Sequence, residues 1–88
     1  MTRSAPKGHL LVVDDDDRIR TLLQRFLEGK GHHVTAARDA AQARRMLQTM
    51  AFDLIVLDVM MPGESGLDLL RAVREEIKTP AILLTALG

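Results

Sequence analysis

Three uninterrupted apolar runs and one mixed run divide the chain, and stretches of helical periodicity lie between them. Leu10-Leu11-Val12-Val13, Leu54-Ile55-Val56-Leu57 and Ala81-Ile82-Leu83-Leu84 are too short for helices and rich in aliphatic and β-branched residues. Runs without polar alternation mark strands buried on both faces, as in a parallel sheet. The first strand is expected over about His9 to Val13. Val34 to Ala37 is weaker and more mixed, which suits a sheet edge. Ala81 to Leu84 reads as an inner strand, because no charge interrupts its middle as it would on a protected edge.

Ile19, Leu22, Leu23, Phe26 and Leu27 fall at i, i+3, i+4, i+7 and i+8, one apolar stripe on a helix. That helix should begin at about Asp16 or Asp17, whose charges suit the positive end of the helix dipole. Gly29 and Gly31 offer its end. Asp39 with Gln42 forms a capping-box pattern before a second helix, with Ala40, Ala43, Leu47 and Met50 as its stripe. Ser65 with Asp68 can cap a third, whose buried face would include Leu70, Val73 and Ile77; Pro80 then breaks the pattern. Strands alternating with helices at this spacing predict an α/β fold, a doubly wound parallel sheet built from right-handed βαβ units. Residues 1–8 contain Ser, Pro, Lys and Gly and read as a flexible N-terminal arm. Residues 9–88 form the domain.

Composition narrows the field. The 88 residues bound the chain to one small domain. Aromatic residues are scarce, so aliphatic side chains must fill the core. A net charge of zero gives no support to a nucleic-acid-binding surface. The lack of cysteine excludes disulfides and thiolate metal sites. No apolar run approaches the ~20 residues of a membrane span. The first eight residues hold Arg3 and Lys7 but no signal-peptide core. A soluble, cytoplasmic protein without membrane contact is the simplest reading.

The candidate chemistry lies at strand ends. Asp58 follows the third strand, and Asp14-Asp15-Asp16-Asp17 follows the first. Ligands of open α/β sheets bind at the carboxyl ends of strands. Pro62-Gly63 and Gly66 build a tight loop after Asp58. A single strand-end acid is an ordinary loop cap. If the two strands are parallel neighbours, however, Asp14, Asp15 and Asp58 converge and repel one another unless a cation is present. Oxygen-only donors with waters suit Mg²⁺, and the chemistry suggested is metal-assisted phosphoryl transfer. Asp16 and Asp17 read as helix-start residues. His9, His32 and His33 read as solvated, as do Arg44 and Arg45. Met60 and Met61 read as packing residues.

Val12-Val13-Asp14-Asp15, then Asp58-Val59-Met60-Met61-Pro62-Gly63 with Gly66, then Leu83-Leu84-Thr85-Ala86 resemble the motifs of response-regulator receiver domains of the CheY-like, transcription-factor type. The resemblance runs from about Leu10 to Thr85. It implies a flavodoxin-like sheet of order 2-1-3-4-5 and a place in two-component phosphorelay signal transduction. Asp58 would accept a phosphoryl group from a sensor histidine kinase. Asp14, Asp15 and Asp58, with the backbone carbonyl of Met60, would hold Mg²⁺. Thr85 would be the switch hydroxyl. Such a domain is a signalling module that takes part in its own phosphorylation and dephosphorylation, and not an enzyme with a separate substrate.

A receiver continues through a further helix, a strand carrying a lysine, and a last helix over the face of the first helix. None of Lys7, Lys30 and Lys78 matches that lysine, so the expectation is an incomplete receiver lacking its C-terminal helix-strand-helix, a poor phosphate acceptor that self-associates through its fourth strand. One alternative is a non-catalytic self-associating fragment. Another is a haloacid-dehalogenase-like phosphatase using the acid-x-acid spacing of Asp14-Asp15-Asp16, with phosphate on Asp14. Arg18 stands where that family usually has Thr or Val, and there is no cap domain. No G-x-G-x-x-G follows the first strand, which disfavours a dinucleotide-binding domain.

Overall fold

The computed structural model describes residues 8–85. Of the expected arm over residues 1–8, residues 1–7 lie outside the described residues, as does Ala86; the Gly8 carbonyl accepts the His33 N–H at 2.8 Å. The elements run β1 (His9–Val13), α1 (Asp17–Gly29), β2 (His33–Ala37), α2 (Ala40–Thr49), β3 (Leu54–Asp58), α3 (Gly66–Val73) and β4 (Ala81–Leu84). The four strands form one parallel sheet of order β2-β1-β3-β4. This is the expected doubly wound, flavodoxin-like architecture. The register places Val13 beside both Ala37 and Leu57, so β1 and β3 end side by side.

Side chains of each strand alternate between the two faces. Leu11, Val13, Ile55 and Leu57 point to one face and pack with Ala40, Ala43 and Leu47 of α2 and Leu69 and Val73 of α3. Val12, Val34 and Val56 point to the other, against Leu23 and Leu27 of α1. Full burial of one such aliphatic side chain is worth about 1.5–3 kcal/mol, so the central strands β1 and β3 anchor the fold.

The helix ends obey local chemistry. The Asp16 carboxylate accepts the Arg18 and Ile19 N–H groups at 2.8 and 3.3 Å, which starts α1. Gly31 takes φ of 97°, and the Gly31 and His32 N–H groups return to the Glu28 and Leu27 carbonyls, closing α1 in a Schellman turn. Asp39 accepts the Gln42 N–H at 2.7 Å, while the Gln42 side chain accepts from Arg38, one residue earlier than the capping box places it. The Ser65 hydroxyl accepts the Asp68 N–H and starts α3.

Several expectations are corrected. Only Leu23 and Leu27 of the α1 stripe pack on the sheet; Ile19, Leu22 and Phe26 are 44, 68 and 58% exposed. Periodicity identifies the apolar side of a helix but not how much of it is covered. β4, although its aliphatic run has inner-strand character, is the outer strand among the described residues, in line with the expected incomplete receiver, and Ile82 and Leu83 are exposed on opposite faces. In α2, Met50 has already left helical geometry and is exposed, and Met46 packs against the core instead. In α3, Leu69 is the most buried residue; Leu70 is half-buried, and Ile77 packs from the turn beyond the helix.

The histidines are not simply solvated. His9 stacks on His33 with ring centroids 4.4 Å apart, touches Phe52, and shares a 2.7 Å hydrogen bond with the Thr35 hydroxyl. Pairing of His9 with His33 across β1 and β2 brings the two rings together. His32 Nδ1 is buried without a partner. Arg44 forms an ion pair with Glu64 in the loop before α3, whereas Arg45 is exposed as expected. Met61 is buried in the core, but the Met60 side chain is exposed.

Candidate functional site

The parallel pairing of β1 and β3 sets Asp14 and Asp58 at adjacent strand ends. Asp14 is only 4% exposed, the one buried charged residue among the described residues. Its polar atoms are committed one by one. The N–H donates to the Ala37 carbonyl at 3.1 Å, continuing the β1–β2 ladder. One carboxylate oxygen accepts the Asp16 N–H at 2.9 Å. The carbonyl accepts Arg20 Nη1 at 2.9 Å. Asp15 is exposed, and Asp58 is half-buried with one oxygen accepting the Met60 N–H at 3.0 Å.

One carboxylate oxygen from each of Asp14, Asp15 and Asp58 lies within 4.8 Å of the others. No other such group of three potential ligands occurs among the described residues. Burial pushes the Asp58 carboxyl above the ordinary carboxylate range, opposed by the Met60 N–H and reinforced by Asp14 and Asp15. Asp16 behaves differently: the Ile19 and Arg18 N–H groups hold its carboxyl below the ordinary range. Its charge is spent on capping α1, in agreement with its reading as a helix-start residue.

A cavity of about 210 Å³ opens over the cluster, lined by Asp14, Ile19, Asp58, Met60, Leu84 and Thr85. Thr85 reaches this position because β4 pairs with β3 up to Asp58 and Leu84, and the Val59 N–H donates to the Leu84 carbonyl. Asp14, Asp58, Met60 and Thr85 therefore share one cavity, with Asp15 beside it. A larger, shallow hollow of about 420 Å³ on α1, lined by Asp17, Arg18, Thr21, Leu22 and Arg25, does not reach the cluster. Lys30 lies over the Phe26 ring and Lys78 donates to the Arg74 carbonyl; neither lines the cavity.

The loop after Asp58 depends on two glycines. Gly63 has φ of 77°, a conformation that side chains rarely adopt. At Gly66 an added Cβ would lie 2.2 Å from the Asp58 carbonyl oxygen. Two contributors escaped the sequence reading. Ile19, whose spacing places it on the core stripe, forms a cavity wall instead. Arg20 carries only the signal of its spacing of three from Asp17, which favours an ion pair on a helix; nothing local marks its contact with Asp14.

Residues 10–88 match the family described as response regulator receiver domain. The chain belongs to that family. The receiver domain is 62% identical over 85 residues to Protein PetR of Rhodobacter capsulatus, an alignment covering 97% of this chain and 36% of the relative. It is 46% identical over 79 residues to the transcriptional regulatory protein CpxR of Escherichia coli, covering 90% of this chain and 34% of the relative. The chain thus spans about a third of the length of these curated relatives.

Among solved structures, a Francisella response regulator receiver domain superposes with a TM-score of 0.87 at 37% identity, covering 93% of this chain and 69% of the other. The Thermotoga maritima response regulator TrrA, in complex with Mg²⁺-BeF, gives a TM-score of 0.84 at 37% identity, covering 91 and 70%. The receiver is a signalling domain of two-component systems, and the phosphatase alternative is set aside. No helix among its described residues is long and apolar enough to cross a membrane.

Proposed function

We propose that this receiver domain accepts a phosphoryl group on Asp58 from a phosphohistidine of a sensor histidine kinase, with Mg²⁺ as cofactor, and switches an output. One observation carries the reading: Asp14, Asp15 and Asp58 bring oxygens within 4.8 Å of one another on neighbouring strand ends of a receiver domain. The donor set fits the ion. All three donors are hard oxygens, and a partial set of carboxylates leaves positions for water, as Mg²⁺ prefers. The structure of TrrA with Mg²⁺-BeF supports the same ion here. Asp14, Asp15 and Asp58 would hold it with the Met60 backbone carbonyl. When bound, Mg²⁺ supplies charge neutralisation between the Asp58 carboxylate and the incoming phosphoryl oxygens.

The residues of the chain do the rest. The Met60 N–H holds one Asp58 oxygen and leaves the other as the nucleophile. That oxygen forms a bond to phosphorus as the phosphorus–nitrogen bond to the donor histidine breaks, and the electron pair leaves with the imidazole. Such a transfer depends on positioning more than on acid–base groups. Asp14, fixed at three of its polar atoms, provides that positioning. Thr85, at the cavity rim, hydrogen-bonds the acyl phosphate and carries the change to the surface.

The domain acts in the cytoplasm without membrane or direct nucleic-acid contact, and its output is regulation of transcription by a longer protein, as the name of CpxR suggests. Self-association through β4 is part of the reading, supported by its outer position among the described residues and by exposed Ile82 and Leu83. Intact-mass spectrometry after incubation with a small-molecule phosphodonor and Mg²⁺ tests the acceptor. One phosphoryl group is expected on the wild type and none on Asp58→Asn; labelling that survives the substitution overturns the assignment. Light scattering over a dilution series tests self-association, and a strict monomer at high concentration removes it.

A further inference from the structure

We infer that Arg20 is a positioning residue of the cation site, acting through the peptide between Asp14 and Asp15. This rests on the proposed Mg²⁺ role of the acidic cluster. Arg20 projects from the first turns of α1 back over β1, and its side chain is only 18% exposed. Nη1 donates to the Asp14 carbonyl at 2.9 Å, and Nη2 pairs with Asp17. The planar guanidinium holds both contacts in one rigid fork, whereas an ammonium on a flexible stem makes them with less preorganisation.

The consequence falls on Asp15. Asp14 is already held at its N–H by Ala37 and at one carboxylate oxygen by Asp16. Holding its carbonyl as well fixes the plane of the next peptide, and with it the N and Cα of Asp15, leaving only the rotation about that N–Cα bond to direct its side chain. Asp15 is exposed and lies within reach of Asp14 and Asp58. Arg20 therefore pre-sets the third carboxylate without touching the ion. Groups behind metal ligands that orient them commonly contribute about 10–100-fold to affinity.

The sign of the effect separates this role from plain electrostatics. Removing a positive charge beside a cation site should by itself tighten cation binding. Removing a positioning contact should weaken it. A purely structural Arg20 would lower thermal stability and leave the folded protein's affinity unchanged or tighter.

The test is a Mg²⁺ titration of the chain followed by backbone amide shifts at Asp14, Asp15 and Asp58, in wild type, Arg20→Ala and Arg20→Lys. The dissociation constant should rise about tenfold in Arg20→Ala and be partly restored in Arg20→Lys, with maximal shifts at saturation preserved. An Arg20→Ala constant within about twofold of the wild type, or below it, overturns the inference, because outer-group losses exceed that. If Arg20→Ala does not fold, Arg20→Gln is used, and the same weakening or its absence decides. A wild type that shows no shift at millimolar Mg²⁺ would instead overturn the reading of the cluster as a Mg²⁺ site, a distinguishable failure.

Discussion

The two faces of the sheet are built from the same alternating strands, yet among the described residues they are covered to different extents. On the α2–α3 face, Leu11, Val13, Ile55 and Leu57 meet a second layer of Ala43, Leu47, Leu69 and Val73, and all of these are buried. On the α1 face, Val12, Val34 and Val56 are buried, but the helix above contributes no fully buried residue and leaves Leu22 and Phe26 in solvent. The acidic cluster borders this second face, with Ile19 of α1 in its wall. The closed face carries the larger buried core; the open face borders the acidic cluster and its cavity.

The largest expected effect lies on the closed face. Leu57→Ala removes a fully buried side chain between β3 and α3, and should cost about 2–5 kcal/mol in chemical denaturation. Refolded wild-type stability in this variant would show that the closed face repacks freely. Gly66→Ala tests the same face at its tightest point. A Cβ there meets the Asp58 carbonyl oxygen and the Leu57 side chain, so a loss of about 1–3 kcal/mol is expected, with amide shifts at Asp58.

Asp58→Asn probes the open face electrostatically. The folded state raises the Asp58 carboxyl through burial and through Asp14 and Asp15. A raised carboxyl binds its proton more readily in the folded chain, so its contribution is fully present below the unfolded value and is lost as pH rises through the folded one. Asn has no proton to lose. Without Mg²⁺, Asp58→Asn should be more stable than wild type at neutral pH by on the order of 1 kcal/mol, the scale of a partly screened like-charge contact. The two should converge as pH falls below about 4, where the unfolded carboxylate also protonates. A gap that persists in acid would assign the gain to packing instead.

The smallest effect should come from Leu22→Ala on the outer side of α1. The residue is largely exposed, so a change within about 0.5 kcal/mol is expected. A loss as large as that at Leu57 would mean that α1 is covered in solution, and the contrast between the faces would fall.

Much of this arrangement was legible in the residues. The apolar runs and stripes located every strand and helix, because burial imposes distinct periods on the two kinds of element. Asp16, Asp39 and Ser65 announced the helix starts through their short polar side chains. The meeting of Asp14, Asp15 and Asp58 was conditional, since it requires β1 and β3 to be neighbours, and periodicity carries no strand order. That order came from the resemblance. The exposure of Ile19, Leu22 and Phe26 was hidden for a related reason: a stripe records what a helix can bury, not what lies opposite. The His9–His33 stack and the Arg20 contact depend on register and on reach across elements, which local pattern does not encode.

The approach of Gly66 to Asp58 also sets how motion travels. The Gly66 N–H is bonded to the Val59 carbonyl, and its Cα rests against the backbone of Asp58. The loop thus returns to the strand it has just left, and the first turn of α3 hangs from the same two peptides that carry the acidic side chain. The start of α3 is thereby tied directly to the end of β3, whereas neither of these contacts reaches α1.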